Sequence, residues 1–368
     1  MTRARKQEQE SAREEVTEVA PGVLRMELPI RMPGLGHVNC YALLDEGGAA
    51  VVDPGLPGAA TWRTLQSRLA RAGLRVRDVH TVIVTHSHPD HFGGAARFAK
   101  EAGARVIAHR SFRFGVSEAS HERPEVSVDD LAAQRDAGRA EPAQERPASA
   151  GHAPREPWRQ GRTPWGGEPP RPSFKMRMRW RMARWLGGLS FVPRISDPVS
   201  GGDVLRLAGR EWFVVHTPGH TEDHFCLHDP EEGVFLAGDH VLPTITPHIS
   251  GLSTRADPLA AYFESLDRVA TIQPVRRVLP AHGHPFDDLA ERCRGIQKHH
   301  VERLERVKAI GRELGLASVE AFSQRLFHPR SWGSMADSET FAHLEHLRLL
   351  GMAESRRDAE GLLLYTTG

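Results

Sequence analysis

Cysteine is scarce in this chain. Three residues, Cys40, Cys226 and Cys293, occur among 368, and their spacing matches neither a disulfide framework nor a paired metal motif. Because disulfides persist mainly in oxidising compartments, this usage indicates a reducing, cytoplasmic environment. It also argues against a metal site built from sulfur ligands.

Long hydrophobic runs are also missing. The mean hydropathy is −0.43, and no apolar run approaches the ~20 residues that a membrane helix needs. Residues 1–16 alternate basic and acidic side chains and contain no apolar core of a signal peptide. We therefore expect a soluble protein without a membrane partner, and we expect residues 1–17 to form a disordered tail. A chain of this length exceeds one typical domain.

The most informative segment present is Thr85-His86-Ser87-His88-Pro89-Asp90-His91, which follows the apolar run 81–84. On an extended backbone His86 and His88 point the same way, whereas Asp90 and His91 lie beyond the turn at Pro89. Neutral imidazole and carboxylate are the ligands that zinc and similar cations prefer. Histidine makes up 21 of the 368 residues, so a lone H-x-H pair could equally belong to a His-rich surface loop. The added Asp and His favour a metal site.

Three further apolar runs end in candidate ligands. The run 212–215 leads to His216 and His220, the run 234–236 leads to Asp239, and the run 278–279 leads to His282 and His284. Each combines a short strand, a turn and a possible ligand. The sequence therefore predicts that several strand ends meet at one metal centre.

This set of motifs resembles the metallo-β-lactamase superfamily of metal-dependent hydrolases. The resemblance implies an α/β fold, an αββα sandwich of two mixed sheets spanning residues 18–286. It implies two divalent ions, zinc first, with iron or manganese allowed because no ligand is sulfur. It further implies a hydroxide between the ions as nucleophile, with Asp90 also counted among the catalytic residues. The implied ligands are His86, His88 and His220 for one ion, Asp90, His91 and His282 for the other, and Asp239 as the bridge.

Other residues are expected to support the site. Asp53 follows the apolar pair 51–52 and resembles the family's buried Asp that orients the metal ligands, although an Asx turn before Pro54 is the alternative. Thr85 is expected to brace the same loop. His248 could donate a proton to a leaving group or bind an acidic substrate, or it could be a surface histidine beside a proline. We interpret the other nearby histidines as structural: His109, His216, His224 and His284.

An insert at 111–195 separates the two halves of the motif set. Residues 141–172 contain eight prolines and few aliphatic residues, which predicts a flexible stretch over 135–172. The segment 173–195 is basic and rich in aromatic and methionine side chains. It is either an amphipathic helix that covers the core or a lid that attracts acidic or nucleic-acid substrates. The substrate contacts expected from a lid are Arg177, Arg179, Trp180 and Arg181.

Residues 287–368 resemble a helical linker followed by a winged-helix-like unit. We predict a long helix from residue 287, a helix capped by Ser318, a helix over 338–350 closed by Gly351, and strands over 352–355 and 362–366. The last helix is acidic, which favours structural support or a homodimer contact over DNA binding. The apolar face of the long helix is predicted to consist of Leu289, Cys293, Ile296, His300, Leu304 and Val307.

The whole arrangement is most similar to the glyoxalase II-like branch, which is related to β-lactamase-like endoribonucleases. Only 43 residues separate Asp239 from His282, too few for the nucleic-acid-clamping domain that processing nucleases insert there. We therefore expect hydrolysis of an ester or thioester on a small-molecule or carrier-linked acyl substrate, such as an acyl-glutathione, an acyl carrier or a lactone. The alternatives are single-stranded RNA cleavage, other hydrolysis such as that of a phosphodiester or a β-lactam, and a metal-binding regulator without turnover.

Overall fold

The computed structural model describes residues 6–32, 34–114, 162–166, 178 and 191–368. Its first sheet contains seven strands in chain order, antiparallel from β1 to β4 and parallel from β4 to β7. The sheet is therefore mixed, as predicted. Its strands are β1 Val16–Ala20, β2 Val23–Met32, β3 Leu35–Asp45, β4 Gly48–Val52, β5 Val79–Val84, β6 Arg105–His109 and β7 Asp197–Val199.

The second sheet contains five strands in the order β12-β11-β10-β9-β8, and only β11 and β12 pair in parallel. Its strands are β8 Val204–Leu207, β9 Arg210–His216, β10 Phe225–Asp229, β11 Val234–Gly238 and β12 Arg277–Pro280. Tyr41 and Ile83 of the first sheet share one buried cluster with Trp212 and Phe225 of the second. The two sheets therefore face each other across an apolar core.

Helices cover both outer faces. A second buried cluster joins the first sheet to Trp62 and Phe98, and a third joins the second sheet to Tyr262 and Ile296. This layering confirms the predicted α/β class and the αββα sandwich. The helices are α1 Ala59–Arg71, α2 Pro89–Phe92 and α3 Ala95–Ala102 beside the first sheet, and α4 Pro258–Ala270 and α5 Leu289–Leu314 beside the second.

The C-terminal elements follow the predicted order. All six residues of the predicted apolar face of α5 are buried. Helix α6, Val319–Leu326, begins after Ser318, whose Oγ accepts the Ala321 N–H at 3.3 Å. Helix α7, Ser334–Leu349, begins four residues earlier than predicted, because Asp337 lies in a first turn where an acid is favourable. A small sheet follows, made of β13 Ala317–Ser318, β14 Ala353–Arg357 and β15 Leu363–Thr367.

The predicted C-terminal unit does not have a core of its own. One apolar cluster runs from Phe235 in the second sheet through Tyr262 and Ile296 to Phe341 in α7 and Tyr365 in β15. Residues 287–368 are therefore packed continuously onto the sandwich. The winged-helix-like interpretation stays a prediction.

The N-terminal segment corrects the expectation of a disordered tail. Glu8 is fully buried, and its Oε1 accepts the backbone N–H groups of Thr244 at 2.7 Å and Ile245 at 3.1 Å. Arg13 pairs with Glu27 at 2.7 Å, and β1 begins at Val16. The prediction was wrong for residues 6–17 because charges that suggested a solvated tail satisfy buried polar groups instead.

The insert also differs from expectation at one place. Trp165 lies within the stretch predicted to be flexible, yet it is buried, and its ring centroid lies 5.1 Å from that of Phe341. Its carbonyl accepts the Leu363 N–H at 2.9 Å. The prediction of a flexible stretch was therefore wrong for residues 162–166. The apolar contact of Trp165 with Phe341 orders this segment although prolines are abundant around it. The lid residues Arg177, Arg179, Trp180 and Arg181 lie outside the described residues.

Among the helices that the structure describes, none combines the length and hydrophobicity needed to cross a membrane.

Candidate metal centre

The seven predicted ligands meet at one edge of the sandwich. Strands β5, β11 and β12 each end in the loop or turn that carries ligands, and the β9–β10 loop carries His220. The backbone joins the two sheets there, since the Phe225 N–H donates to the Thr85 carbonyl at 3.1 Å. The structure therefore assembles residues that are almost 200 positions apart in sequence.

Three imidazoles and a carboxylate form the first ligand group. His88 Nδ1 lies 2.9 Å from His86 Nε2 and 3.1 Å from His220 Nε2. Asp239 Oδ2 lies 3.8 Å from His86 Nε2 and 3.6 Å from His220 Nε2. Two ligands bound to zinc at ~2.0–2.1 Å in a tetrahedron lie roughly 3.4 Å apart, so these atoms fit around a single ion.

The second group combines Asp90, His91 and His282. Asp90 Oδ2 lies 3.6 Å from the Nε2 atoms of both histidines. Asp239 completes this group as well, with Oδ2 at 3.5 Å from His91 Nε2 and Oδ1 at 3.3 Å from His282 Nε2. Asp239 therefore lies between the two groups, where a bridging carboxylate would be.

Hydrogen bonds fix which nitrogen faces the centre. The Nδ1–H of His91 donates to Asp53 at 2.9 Å, that of His282 to the His37 carbonyl at 2.7 Å, and that of His220 to the His248 carbonyl at 2.7 Å. In its neutral form, each of these rings presents an unprotonated Nε2 to the centre.

These lone pairs have few protein partners. Within the described part of the chain, the Nε2 atoms of His91 and His282 and Oδ1 of Asp239 are buried without a hydrogen bond. Lone pairs and a carboxylate directed at one another repel unless a cation lies between them. The donor set thus fits divalent metal ions.

Burial and neighbouring charges favour the ligand protonation state of His86 and of Asp239 but not that of His91. Burial, followed by the nearby histidines, lowers the pKa of His86 well below its usual value, so the ring is neutral. Burial raises the pKa of Asp239, but His282 and His91 outweigh it and hold that pKa well below the usual range. For His91, burial lowers the pKa, yet Asp90 and Asp239 raise it well above 6.5. A metal bound there would therefore displace a proton.

Asp53 makes the contacts that the sequence predicts for an orienting residue. Its Oδ1 accepts the Thr85 N–H at 2.9 Å, and its Oδ2 accepts the Thr85 hydroxyl at 2.8 Å as well as the His91 Nδ1–H. The carboxylate is thus used across the site rather than in a local Asx turn. Its backbone is left-handed, with φ at 53°, a conformation that these contacts stabilise.

His224 has a role that the sequence analysis missed. Its Nδ1–H donates to Thr217 Oγ1 at 2.7 Å, so its Nε2 can accept the backbone N–H of Asp239 at 3.0 Å. Gly238 has φ of 51°, and a Cβ there would lie 2.6 Å from that Nε2. The pair fixes the backbone of Asp239. The only available signal was that His224 ends the loop that carries His220.

The remaining predicted histidines lie around the centre. His248 is in the loop after β11, and its ring Nδ1 lies 3.4 Å from Glu339 Oε2. His284 contacts Glu10 at 2.9 Å, and His109 stacks on His216 with 4.1 Å between ring centroids. These contacts agree with a structural role for the last three. The catalytic role of His248 stays a prediction.

Known proteins resemble this chain over most of its length. A solved metallo-beta-lactamase family protein of Thermus thermophilus is 28% identical, with a TM-score of 0.68, over 95% of this chain and 100% of that one. A probable metallo-hydrolase of Bacillus subtilis is 25% identical over 87% of this chain and 91% of its own length. The likeness thus extends through the C-terminal elements.

Other relatives are more identical over shorter stretches. An atrochrysone carboxyl ACP thioesterase of Cryptosporiopsis is 33% identical over 32% of this chain, and a hydroxyacylglutathione hydrolase of Maricaulis maris is 35% identical over 25%. This chain spans about a third of the length of such relatives. The family model of the metallo-beta-lactamase superfamily matches residues 33–282, more than half of the chain. The chain therefore belongs to the metallo-beta-lactamase superfamily.

Proposed function

We propose that the chain is a dinuclear metal-dependent hydrolase that cleaves an ester or thioester of a small-molecule or carrier-linked acyl group. The observation that carries this proposal is the pair of ligand groups that share Asp239. Divalent ions held there would polarise a substrate carbonyl and lower the pKa of a water molecule.

The protein residues would bind the ions, orient a ligand and hold a proton for the leaving group. His86, His88 and His220 would hold one ion, and Asp90, His91 and His282 the other. Asp53 fixes the ring of His91 from behind, which leaves Nε2 free for the ion. His248, whose side chain is 23% exposed at the cleft, would hold a proton for the leaving group.

Two observations favour an acyl substrate over RNA. The described segment between Asp239 and His282 contains one loop, α4 and β12, so no nucleic-acid-clamping domain is inserted there. Two partial matches are, by their names, a thioesterase acting on a carrier-linked acyl group and a hydrolase of hydroxyacylglutathione. Both of those relatives cleave thioesters by name, which supports the same substrate class here.

A substrate panel tests the proposal. The purified, metal-analysed protein would be assayed with an acyl-glutathione, an acyl-pantetheine, a lactone, an oxygen ester and single-stranded RNA. We expect turnover of a thioester or ester that disappears in Asp239→Ala. Cleavage of RNA without turnover of any acyl substrate would contradict the proposal.

A further inference from the structure

Helix α7 contacts the loop beside the metal centre through Glu339. This carboxylate is 9% exposed, and its Oε2 lies 3.4 Å from the Nδ1 of His248. Its Oε1 is paired with Arg303 of α5. Burial raises the pKa of Glu339, but His248 and Arg303 outweigh it and hold that pKa below its usual range, so the carboxylate is ionised. Glu339 is thus a fixed anion beside the predicted proton donor.

His248 connects this anion to the ligands. Its carbonyl accepts the Nδ1–H of His220 at 2.7 Å, while its ring Nδ1 faces Glu339. A carboxylate on Nδ1 favours the tautomer protonated there, as in other carboxylate–histidine pairs. The Nε2 edge of this partly exposed ring is then left for solvent or substrate.

The same helix also contacts two other places in the loop over residues 240–257. The Ser338 carbonyl and Oγ accept the Gly251 N–H at 3.1 and 3.0 Å. His346 Nδ1 lies 2.9 Å from Asp257 Oδ2. Residues along α7 therefore fix this loop at several points, and only the contact of Glu339 uses the ring of His248.

A neighbouring histidine pair contacts the backbone of Glu339, while Arg303 pairs with its carboxylate. The Nδ1–H of His343 donates to the Glu339 carbonyl at 2.7 Å, and His343 Nε2 lies 3.1 Å from His300 Nδ1. Glu339, His300 and His343 lie close enough to hold an ion. The guanidinium of Arg303 on Glu339 opposes a further cation, so we interpret the cluster as a hydrogen-bonded support.

We propose that Glu339 is a positioning residue of the metal centre, which holds the imidazole of His248 at the cleft so that the C-terminal unit completes the active site. The kinetic part of this proposal rests on the proposed hydrolase function. The structural part is the fixed tautomer of His248, which does not depend on turnover.

Histidine ¹H–¹⁵N spectroscopy of the zinc-loaded protein tests the structural part directly. We expect the Nδ1-protonated tautomer of His248 in the wild type and a tautomer mixture in Glu339→Ala. His346→Ala is the matched control, because it removes a comparable contact of α7 to the same loop without touching His248. An unchanged His248 signal in Glu339→Ala would overturn the proposal, as would a third equivalent of zinc that Glu339→Ala removes.

Steady-state kinetics on the substrates that the substrate panel identifies would test the kinetic part of the proposal. Loss of a residue that supports a metal site typically costs ~10–100-fold. We expect Glu339→Ala to lower kcat on an oxygen ester by about 10-fold, no more than His248→Ala does, with KM changed less than ~3-fold, and His346→Ala to leave kcat within ~3-fold. Glu339→Gln keeps volume and one acceptor oxygen, so it should retain most activity. If Glu339→Ala does not fold, a wild-type His248 protonated on Nε2 rather than Nδ1 would overturn the proposal.

A double-mutant cycle separates positioning from general stabilisation. If Glu339 acts through His248, then Glu339→Ala combined with His248→Ala should be no slower than His248→Ala alone. Multiplicative losses would overturn the proposal. If the wild type cleaves no acyl substrate, the proposed function fails, whereas the spectroscopic result still decides the role of Glu339.

Discussion

The two ligand groups of the metal centre differ in charge and in support. Apart from the shared Asp239, the first group consists of imidazoles, anchored by neutral groups such as the Thr85 hydroxyl and the His248 carbonyl. The second contains the carboxylate of Asp90, and its His91 is anchored by a further carboxylate, Asp53. The two sites are therefore chemically unequal.

This inequality has consequences for metal choice. Imidazole suits zinc, whereas oxygen ligands also accept manganese and iron. Negative charge around the second group attracts any divalent ion more strongly. We expect the second group to bind first and to be the less selective of the two.

Asp239→Ala removes the residue that both groups share. We expect kcat to fall by at least about 10³-fold, roughly 4 kcal/mol of barrier, while the fold is retained because Asp239 lies at the cleft edge. Metal analysis should show fewer than two ions per chain. Retention of more than a tenth of wild-type kcat would mean that the centre is assigned wrongly.

His88→Ala and Asp90→Ala each damage one group. We expect each variant to lose about one equivalent of metal and at least ~10²-fold in kcat, because a single ion cannot both activate water and polarise the carbonyl. Elemental analysis under limiting zinc should distinguish the two variants. The ion that remains should be held more tightly in His88→Ala than in Asp90→Ala, and the reverse order would contradict the proposed inequality.

Asp53→Asn removes the negative charge that anchors His91. Such supporting contacts are typically worth ~10–100-fold in metal affinity, so we expect that loss for one of the two ions in a chelator competition. Asp229→Asn is the control, since Asp229 is also buried but pairs with Arg210, remote from the ligands. An equal loss from both ions would show that Asp53 acts on the whole loop.

His248→Ala should distinguish leaving groups. A thiolate, with a pKa of about 8.5, leaves without much protonation, whereas an alkoxide needs a proton. We expect kcat/KM to fall about 10-fold or more for an oxygen ester and less than ~3-fold for the matched thioester, with metal content unchanged. Identical kinetics on both substrates would support a surface role for this histidine.

The last prediction concerns histidines outside the two ligand groups. Burial lowers the pKa of His343 from 6.5 to about 4, so below pH 6.5 the unfolded chain binds a proton that the folded one does not. Stability is therefore lost as pH falls from about 6.5 towards 4, by about 2 kcal/mol at pH 5. Urea unfolding of the wild type and His343→Asn at pH 7.5 and pH 5 checks this. The variant should show a smaller pH dependence.

Much of the centre could be predicted from local patterns. Ligands placed directly after apolar runs mark the ends of strands, and strand ends at one edge of a sandwich meet. The same reasoning placed Asp53, since it also follows a strand, and the periodicity of α5 located its buried face. These features depend on residues close in sequence, so the chain itself reveals them.

The contacts made by Glu8 and Glu339 could not be predicted in this way. Both are acids in segments rich in charge, where a solvated side chain is the ordinary expectation. Their partners lie 236 positions away for Glu8 and in an irregular loop for Glu339. No periodic pattern in the sequence links an isolated acid to such a partner. The contacts that hold the loop over 240–257 can therefore be seen only in the structure.

The burial of Glu8 under this loop also constrains the order in which the molecule can assemble during synthesis. Residue 8 leaves the ribosome long before Thr244, and α7 emerges later still, near the end of the chain. The loop beside the centre is therefore complete only after the segment of Glu8 and helix α7 have both docked. Contacts of such long sequence separation form slowly, so a nascent chain would hold its ligand strands before it could hold this loop.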